Sequence, residues 1–431
     1  MSKNFTKELE ELTKAEIISD DTADKIRNYY DSKPSRSQNN MLVAFAVLGA
    51  MLVGLGVILI IAHNWDELSK STKVVFAFMP LVISQLLCGF TLLKKQNEVI
   101  WKESTSILLF LSVGASISLI SQVYNIQGGL SNFLFVWSLL CLPIIYIMRS
   151  YAASLLYISL ITYYAIESNY SFNFFIDIKG LKSINYWWML LLAMPNYISN
   201  FKKAPFSNAT QVHNWIVPIS LTIALSTISQ HGEDFLYMAY LSLFSIFYVI
   251  GNLPAYEHKK RRSNGYLVMG SLGTVFMLIT LSFNWYWRRE HDTSNIFWTE
   301  FIAAALMSLL ALAATVWQYK SKIKKGSMLI QFAFLIYIAL YVIGNSLPFV
   351  SQAMINILVL SIGVNFILNG TKEDHLGVIN YGLLIITTLI ICRFFDSNMS
   401  FIIRGLLFIA VGVGFFVANY LILRKRKQHK N

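Results

Sequence analysis

Apolar positions along this chain come in long unbroken runs, with little of the striping or alternation that marks a half-buried helix or strand. A helix needs roughly 20 mostly apolar residues to cross the hydrocarbon of a bilayer. Fourteen runs approach that length, at about 41–62, 73–93, 105–123, 132–148, 152–166, 185–201, 215–230, 235–253, 265–284, 297–318, 327–344, 351–368, 376–392 and 401–423. The stretch 132–166 is nearly continuous, broken only by Pro143, Arg149 and Ser150, and reads as two short spans or as one span with a re-entrant piece. The pattern predicts an all-α fold, a polytopic transmembrane helical bundle of about 14 spans.

Composition narrows the picture further. Of 431 residues, 55% are hydrophobic and 13% charged, where soluble proteins carry about 25% charged residues. A soluble enzyme, a disordered chain and a disulfide scaffold are excluded. Cys88, Cys141 and Cys392 lie in or beside apolar runs with no metal-ligand spacing, so they read as small buried hydrophobes.

The net charge of +12 follows the expected topology. With the N-terminus cytoplasmic and the spans alternating, the inner side, which takes in the connection 202–214 with Lys202 and Lys203, holds 27 basic and 13 acidic residues, the outer side 8 and 10. Basic residues favour the cytoplasmic side, so both termini are expected inside. The positive charge is then read as topology and contact with anionic membrane lipid, with no nucleic-acid footprint. The expected organisation is a cytoplasmic helical hairpin and linker over 1–40, a first bundle of about eight spans over 41–253, a second of about six over 265–423, and a basic tail over 424–431.

In the hairpin, Phe5, Leu9 and Leu12 recur at helical spacing. Ser19 is placed to cap a second helix that opens on Asp20 and Asp21 and carries Ala23, Ile26 and Tyr30 as its apolar stripe. Two helices of this size cannot bury a core alone, so docking on the membrane face or on a protein partner is expected. Residues 1–40 lack the basic start and immediate apolar core of a signal peptide, and insertion is expected to begin with the first span.

No predicted span has an ionisable residue near its centre, which argues against a pump built on a midplane carboxylate. Gln85, Asn196 and Asn356 are the neutral polar residues at depth. Ionisable and polar groups gather instead at the outer span ends: His63, Asn64, Trp65 and Asp66; Gln122 and Tyr124; Asn284, Trp285 and Trp287; Glu300; Arg393 and Asp396; Arg404. A charge inside the apolar boundary is costly alone. Glu300 and Arg404 are therefore expected to pair, with each other or with Asp66, Asp396 or Arg393. One reading of this set is an interfacial aromatic belt. The other is an outward-facing polar cavity, with His63, Asn64, Trp65, Asp66, Gln122, Tyr124, Glu300, Arg393, Asp396 and Arg404 as its cavity or ligand candidates. His63 and Asp66, three residues apart, share a face if the helix continues through them, and two arginines suit a phosphate or carboxylate.

Weaker signals complete the inventory. Ile60–Trp65 (IIAHNW) and Thr280–Trp285 (TLSFNW) both close a span on Asn-Trp, a faint trace of parallel duplication. The loop His231, Glu233, Asp234 has some metal-ligand chemistry but no second element to complete a site. There is no P-loop, dinucleotide fingerprint, HExxH or GxSxG, so no cofactor or metal is expected and no enzyme class is marked.

Several strings resemble a known family. These are Ile17-Ile18-Ser19 before a helix ending Ile26-Arg27-Asn28-Tyr29-Tyr30, the span Gly54–Ile61 running into Ala62-His63-Asn64-Trp65-Asp66-Glu67-Leu68, and Leu119–Gly129 (LISQVYNIQGG) before a span with Trp137 and Pro143. Arg393-Phe394-Phe395-Asp396 and Arg404–Phe408 are similar to a C-terminal stretch of the same group. The family is that of bacterial predicted membrane proteins catalogued as domain of unknown function twenty-one fifty-seven. The clearest similarity covers about 10–150, a looser one 376–425. One departure is Asn125, where the resemblance leads to the expectation of a His. The resemblance implies a multi-pass protein of the bacterial inner membrane and brings no activity with it. The function expected from these features is transport or sensing of a small polar or anionic molecule through the outer cavity. The alternatives are a membrane enzyme acting on a lipid-linked substrate at the outer leaflet, and a non-catalytic scaffold or stress-sensing subunit that docks through residues 1–40.

Overall fold

A computed structural model describes residues 9, 11–13, 15, 17–31, 67–170, 179–228, 233–256, 263–288, 298–321 and 326–396, with seven single positions between 402 and 416. The described residues are helical, with no strand among them. The chain divides into two compact units, residues 1–76 and 77–431.

In the first unit the described helix is α1, Asp20–Asp31. Ser19 caps it as its side chain predicts: Oγ accepts from the Thr22 amide at 3.4 Å, and Asp20 and Asp21 occupy the first turn. Helix α2, Lys70–Lys94, opens in this unit, with Ser69 Oγ accepting from the Thr72 amide at 3.2 Å.

The second unit continues α2 and adds α3 (Val99–Val123), α4 (Leu130–Met148), α5 (Tyr151–Tyr170), α6 (Lys179–Lys203), α7 (Asn208–Ser226), α8 (Glu233–Gly251) and α9 (Gly265–Leu281). The short α10 (Asn284–Arg288), α11 (Trp298–Lys320), α12 (Met328–Gln331), α13 (Ala333–Gly344), α14 (Pro348–Lys372) and α15 (Leu376–Asp396) follow. Twelve of the fourteen predicted apolar runs fall on these helices. Seven of the described helices are long and apolar enough to cross a membrane: α2, α3, α4, α8, α11, α14 and α15. The first run, 41–62, lies outside the described residues, and 401–423 is described only at its single positions.

The packing of α3 explains why these helices suit lipid. Its buried residues include Thr105, Ser106, Ser112, Gly114 and Ser116, while Leu108 and Leu111 are exposed. In water that distribution would be inverted. In hydrocarbon, small and polar residues allow close helix approach and interhelical hydrogen bonds, and large apolar residues face the chains. Ser116 Oγ accordingly donates to the Ala77 carbonyl of α2 at 2.7 Å, and Trp137 Nε1 of α4 donates to the Phe110 carbonyl at 2.9 Å. Of the neutral polar residues at depth, Asn196 Nδ2 bonds across to the Ile145 carbonyl at 3.1 Å, whereas Gln85 is exposed.

The continuous apolar stretch 132–166 resolves into two helices, α4 and α5. Pro143 lies inside α4 and does not end it. The break comes at Arg149, whose φ of 50° is left-handed, followed by Ser150. The amides that open α5 are taken up by Glu103 of α3, which accepts from Tyr151 N at 3.1 Å, Ala152 N at 2.8 Å and the Ser150 hydroxyl. A carboxylate at a helix N-terminus is favoured by hydrogen bonding and by the helix dipole together.

The segment 202–214 is not simply the connection its lysines suggest. Helix α7 begins at Asn208, capped by Ser207 Oγ accepting from Thr210 N at 3.1 Å, so His213 and Asn214 are buried helical residues. At the C-terminal end of the chain, α14 and α15 approach at Gly363 and Gly382. A Cβ at Gly382 would stand 2.6 Å from the Gly363 carbonyl oxygen. This crossing sets the position of the last turn of α15, where Arg393 and Asp396 lie.

Candidate functional site

Polar side chains from five elements meet at one end of the second unit, around the seven residues Ser282–Arg288. Helix α9 stops at Ser282, whose Oγ turns back to the Ile279 carbonyl at 2.6 Å. That leaves the Ser282 carbonyl unused by the helix. Two amides from the first turns of α14 satisfy it, Gln352 Nε2 at 3.2 Å and Asn356 Nδ2 at 3.4 Å. Asn356 also donates to the Gln352 carbonyl one turn back, at 2.8 Å.

The ionic part of the site sits on the last turn of α15. Arg393 and Asp396, three residues apart, form a 2.7 Å ion pair with side-chain exposures of 19% and 13%. Arg393 suits the negative C-terminal end of its helix and Asp396 does not. Asp396 is compensated from outside: its Oδ2 accepts from Arg393, from the Asn284 amide that opens α10 at 3.1 Å, and from Gln352 Nε2 at 3.4 Å. Arg393 Nη2 also donates to Ser282 Oγ at 3.3 Å, and the guanidinium lies 5.1 Å over the Phe283 ring. A guanidinium so placed combines an ion pair, a neutral hydrogen bond and a cation–π contact.

A second network occupies the other side of the same segment. The Tyr286 hydroxyl donates to Asp234 Oδ1 at 3.0 Å and shares a hydrogen bond with the Tyr337 hydroxyl. Tyr337 also reaches the Asp234 carbonyl, and Tyr341 reaches Asp234 Oδ2 at 3.4 Å. Tyr237 packs against the Tyr286 ring, and Trp287 Nε1 closes onto the Leu281 carbonyl at 2.7 Å. Burial, reinforced by Tyr337 and the Asp234 carboxylate, pushes the Tyr286 hydroxyl up. It therefore remains a proton donor to Asp234. This network was not legible as a site. Asp234 stood out only as part of a loop with metal-ligand chemistry, and its tyrosine partners lie 52 to 107 positions away.

The remaining sequence candidates are distributed as follows. Arg393 and Asp396 are joined to each other and to Ser282, Asn284 and Gln352, and Asn356 joins the group through the Ser282 and Gln352 carbonyls. Glu300 is buried in the first turn of α11, where an acid suits the helix dipole. Gln122 and Tyr124 are exposed at the end of α3, with no described contact to the Arg393 group. His63, Asn64, Trp65, Asp66 and Arg404 lie outside the described residues. Of the IIAHNW and TLSFNW echoes, the second supplies the Asn284 amide and the Phe283 ring used by α15.

No curated protein and no solved structure matches the chain. Over residues 10–154, which end short of the C-terminal strings noted above, the chain matches the family model described as Predicted membrane protein (DUF2157).

Proposed function

We propose that the chain binds a small anionic or polar molecule at the Arg393 end of its bundle, and that it transports or senses that molecule. The observation that carries this reading is the ion pair itself. Arg393 is partly exposed, oriented by Phe283 and Ser282, and neutralised by a carboxylate on its own helix. A carboxylate or phosphate oxygen from a ligand can take the place of Asp396 on such a guanidinium without leaving the arginine uncompensated. The amides of Gln352 and Asn356 lie beside it, and Asn356 Oδ1 has no hydrogen-bond partner among the described residues.

The test uses the full chain in liposomes and in detergent, with flux and thermal-shift measurements over a panel of small carboxylates, phosphates and inorganic ions. A responding ligand should lose its effect in Arg393→Gln and keep part of it in Arg393→Lys, with Asp396→Asn retaining binding. No response across the panel sinks the proposal. Loss of folding in Arg393→Gln, with no ligand response in the parent, assigns the pair to holding helices together.

A further inference from the structure

A different polar cluster lies near the start of α9, the end opposite Ser282, and its centre is His213. The side chain is 2% exposed. Nδ1 faces the Ala209 carbonyl at 2.8 Å, and a carbonyl can only accept, so Nδ1 carries a hydrogen. Nε2 faces Ser154 Oγ of α5 at 3.1 Å and, in the neutral ring, accepts from it. The Tyr197 ring of α6 stacks on the imidazole at 5.9 Å and 19°.

We propose that His213 is a proton-binding site, at which uptake of one proton reverses the hydrogen bond to Ser154 and passes the change to the capped start of α5. The ring fits both states. With Nε2 protonated, the histidine donates to Ser154 Oγ, and the serine hydrogen turns to the Ser150 carbonyl one turn back. That is the bond that the Ser138, Thr162 and Thr274 hydroxyls already make to their own helices. Neither ring nitrogen loses its partner. The stacked Tyr197 ring offers a π face to the cation. The proton comes from water, and no other bond forms or breaks.

The groups around His213 set what it responds to. Burial holds the His213 imidazole below its ordinary value, opposed by the Ala209 carbonyl and by the Glu103 carboxylate of α3, and that carboxylate also holds the Ser150 hydroxyl and the Tyr151 and Ala152 amides. Tyr151 of α5 meets the ring edge-on at 6.3 Å. From α6, Tyr197 donates its hydroxyl to Asn214 Oδ1 at 2.8 Å, and Tyr256 of the turn Pro254–Tyr256 reaches the same oxygen at 3.3 Å. Tyr266 of α9 lies edge-on to the Tyr256 ring at 6.2 Å. Tyr240 of α8 binds α7 two turns further on, at the Thr222 carbonyl. Lys202 and Lys203 end α6 exposed. Glu103 is thus the carboxylate among these groups, and an imidazolium at His213 draws it away from its cap. The coupling runs from His213 through Ser154 and Glu103 to the first turn of α5.

Hydrogen–deuterium exchange of the full chain in nanodiscs of phosphatidylcholine and phosphatidylglycerol tests this between about pH 5 and 8, the range of histidine titration. After correction for the intrinsic pH dependence of exchange, peptides covering 150–156 should show a one-proton transition. His213→Gln, whose amide can both accept from and donate to Ser154, should abolish it. No transition in the parent protein, or the same transition in His213→Gln, overturns the proposal. Should His213→Gln not accumulate, Glu103→Gln decides the matter. It keeps an oxygen for the cap but removes the charge, so the midpoint should fall by about one pH unit, and an unmoved midpoint overturns the proposal.

Discussion

The two ends of the second unit handle half-buried carboxylates in different ways. At the Arg393 end, Asp396 is neutralised by a cation, and neighbouring Asp234 accepts from tyrosine hydroxyls. At the His213 end, Glu103 is satisfied by two backbone amides and a serine at the start of α5. Among the described residues, half-buried Glu103 is held by amides and a hydroxyl with no base beside it. Dipoles and hydroxyls held in place by the fold do the same work, because their orientation is set before the charge arrives. The consequence is a difference in what each end can exchange. A cation–carboxylate pair can swap its anion for a ligand. A carboxylate bound to a helix N-terminus can be released only by altering the helix start.

That contrast can be broken by mutation, and the largest effect is expected at the ion pair. Arg393→Met leaves Asp396 partly buried without its cation, and unfolding in detergent should show a loss of about 3 kcal/mol. The double variant Arg393→Met/Asp396→Leu should recover much of that loss. A single-variant cost of about 0.5 kcal/mol or less would mean the pair behaves as an exposed salt bridge. Next comes Glu103→Ala, which removes the cap of α5. A cost of about 1–2 kcal/mol is expected, with the increased hydrogen exchange concentrated at 150–154. Exchange rising evenly through the bundle would show that Glu103 does more than cap. The smallest effect is expected for Tyr341→Phe, which removes the 3.4 Å bond to Asp234 while Tyr286 retains its own. About 0.5 kcal/mol is anticipated from calorimetry or chemical denaturation. A larger loss would make the tyrosine network, rather than the ion pair, the main tie at that end.

How far the candidate site could be read beforehand depended on distance along the chain. Arg393 and Asp396 are three residues apart at the end of an apolar run, so their depth and shared face were visible in the residues themselves. Their other partners were not. Ser282, Asn284, Gln352 and Asn356 come from three other helix ends, and only the packing of α9, α10 and α14 against α15 brings them there. His213 was hidden for a different reason. Lys202 and Lys203 suggested a connecting segment through 214, whereas the Ser207 cap starts α7 at Asn208. Ser207 and Thr210 carry the local signal for that start, and the charge pattern outweighed it.

The residues alone determined that the described chain is helical and that many of its helices suit hydrocarbon, because the energy of burying apolar surface is summed along a run and needs no knowledge of neighbours. They also determined the α1 cap. The boundary within 132–166 had to wait for Glu103, 46 positions before Arg149, and only the tertiary structure decided which polar groups neutralise one another. Hydrogen bonds and ion pairs act over a few ångströms, and which atoms come that close is fixed by the packing of whole helices.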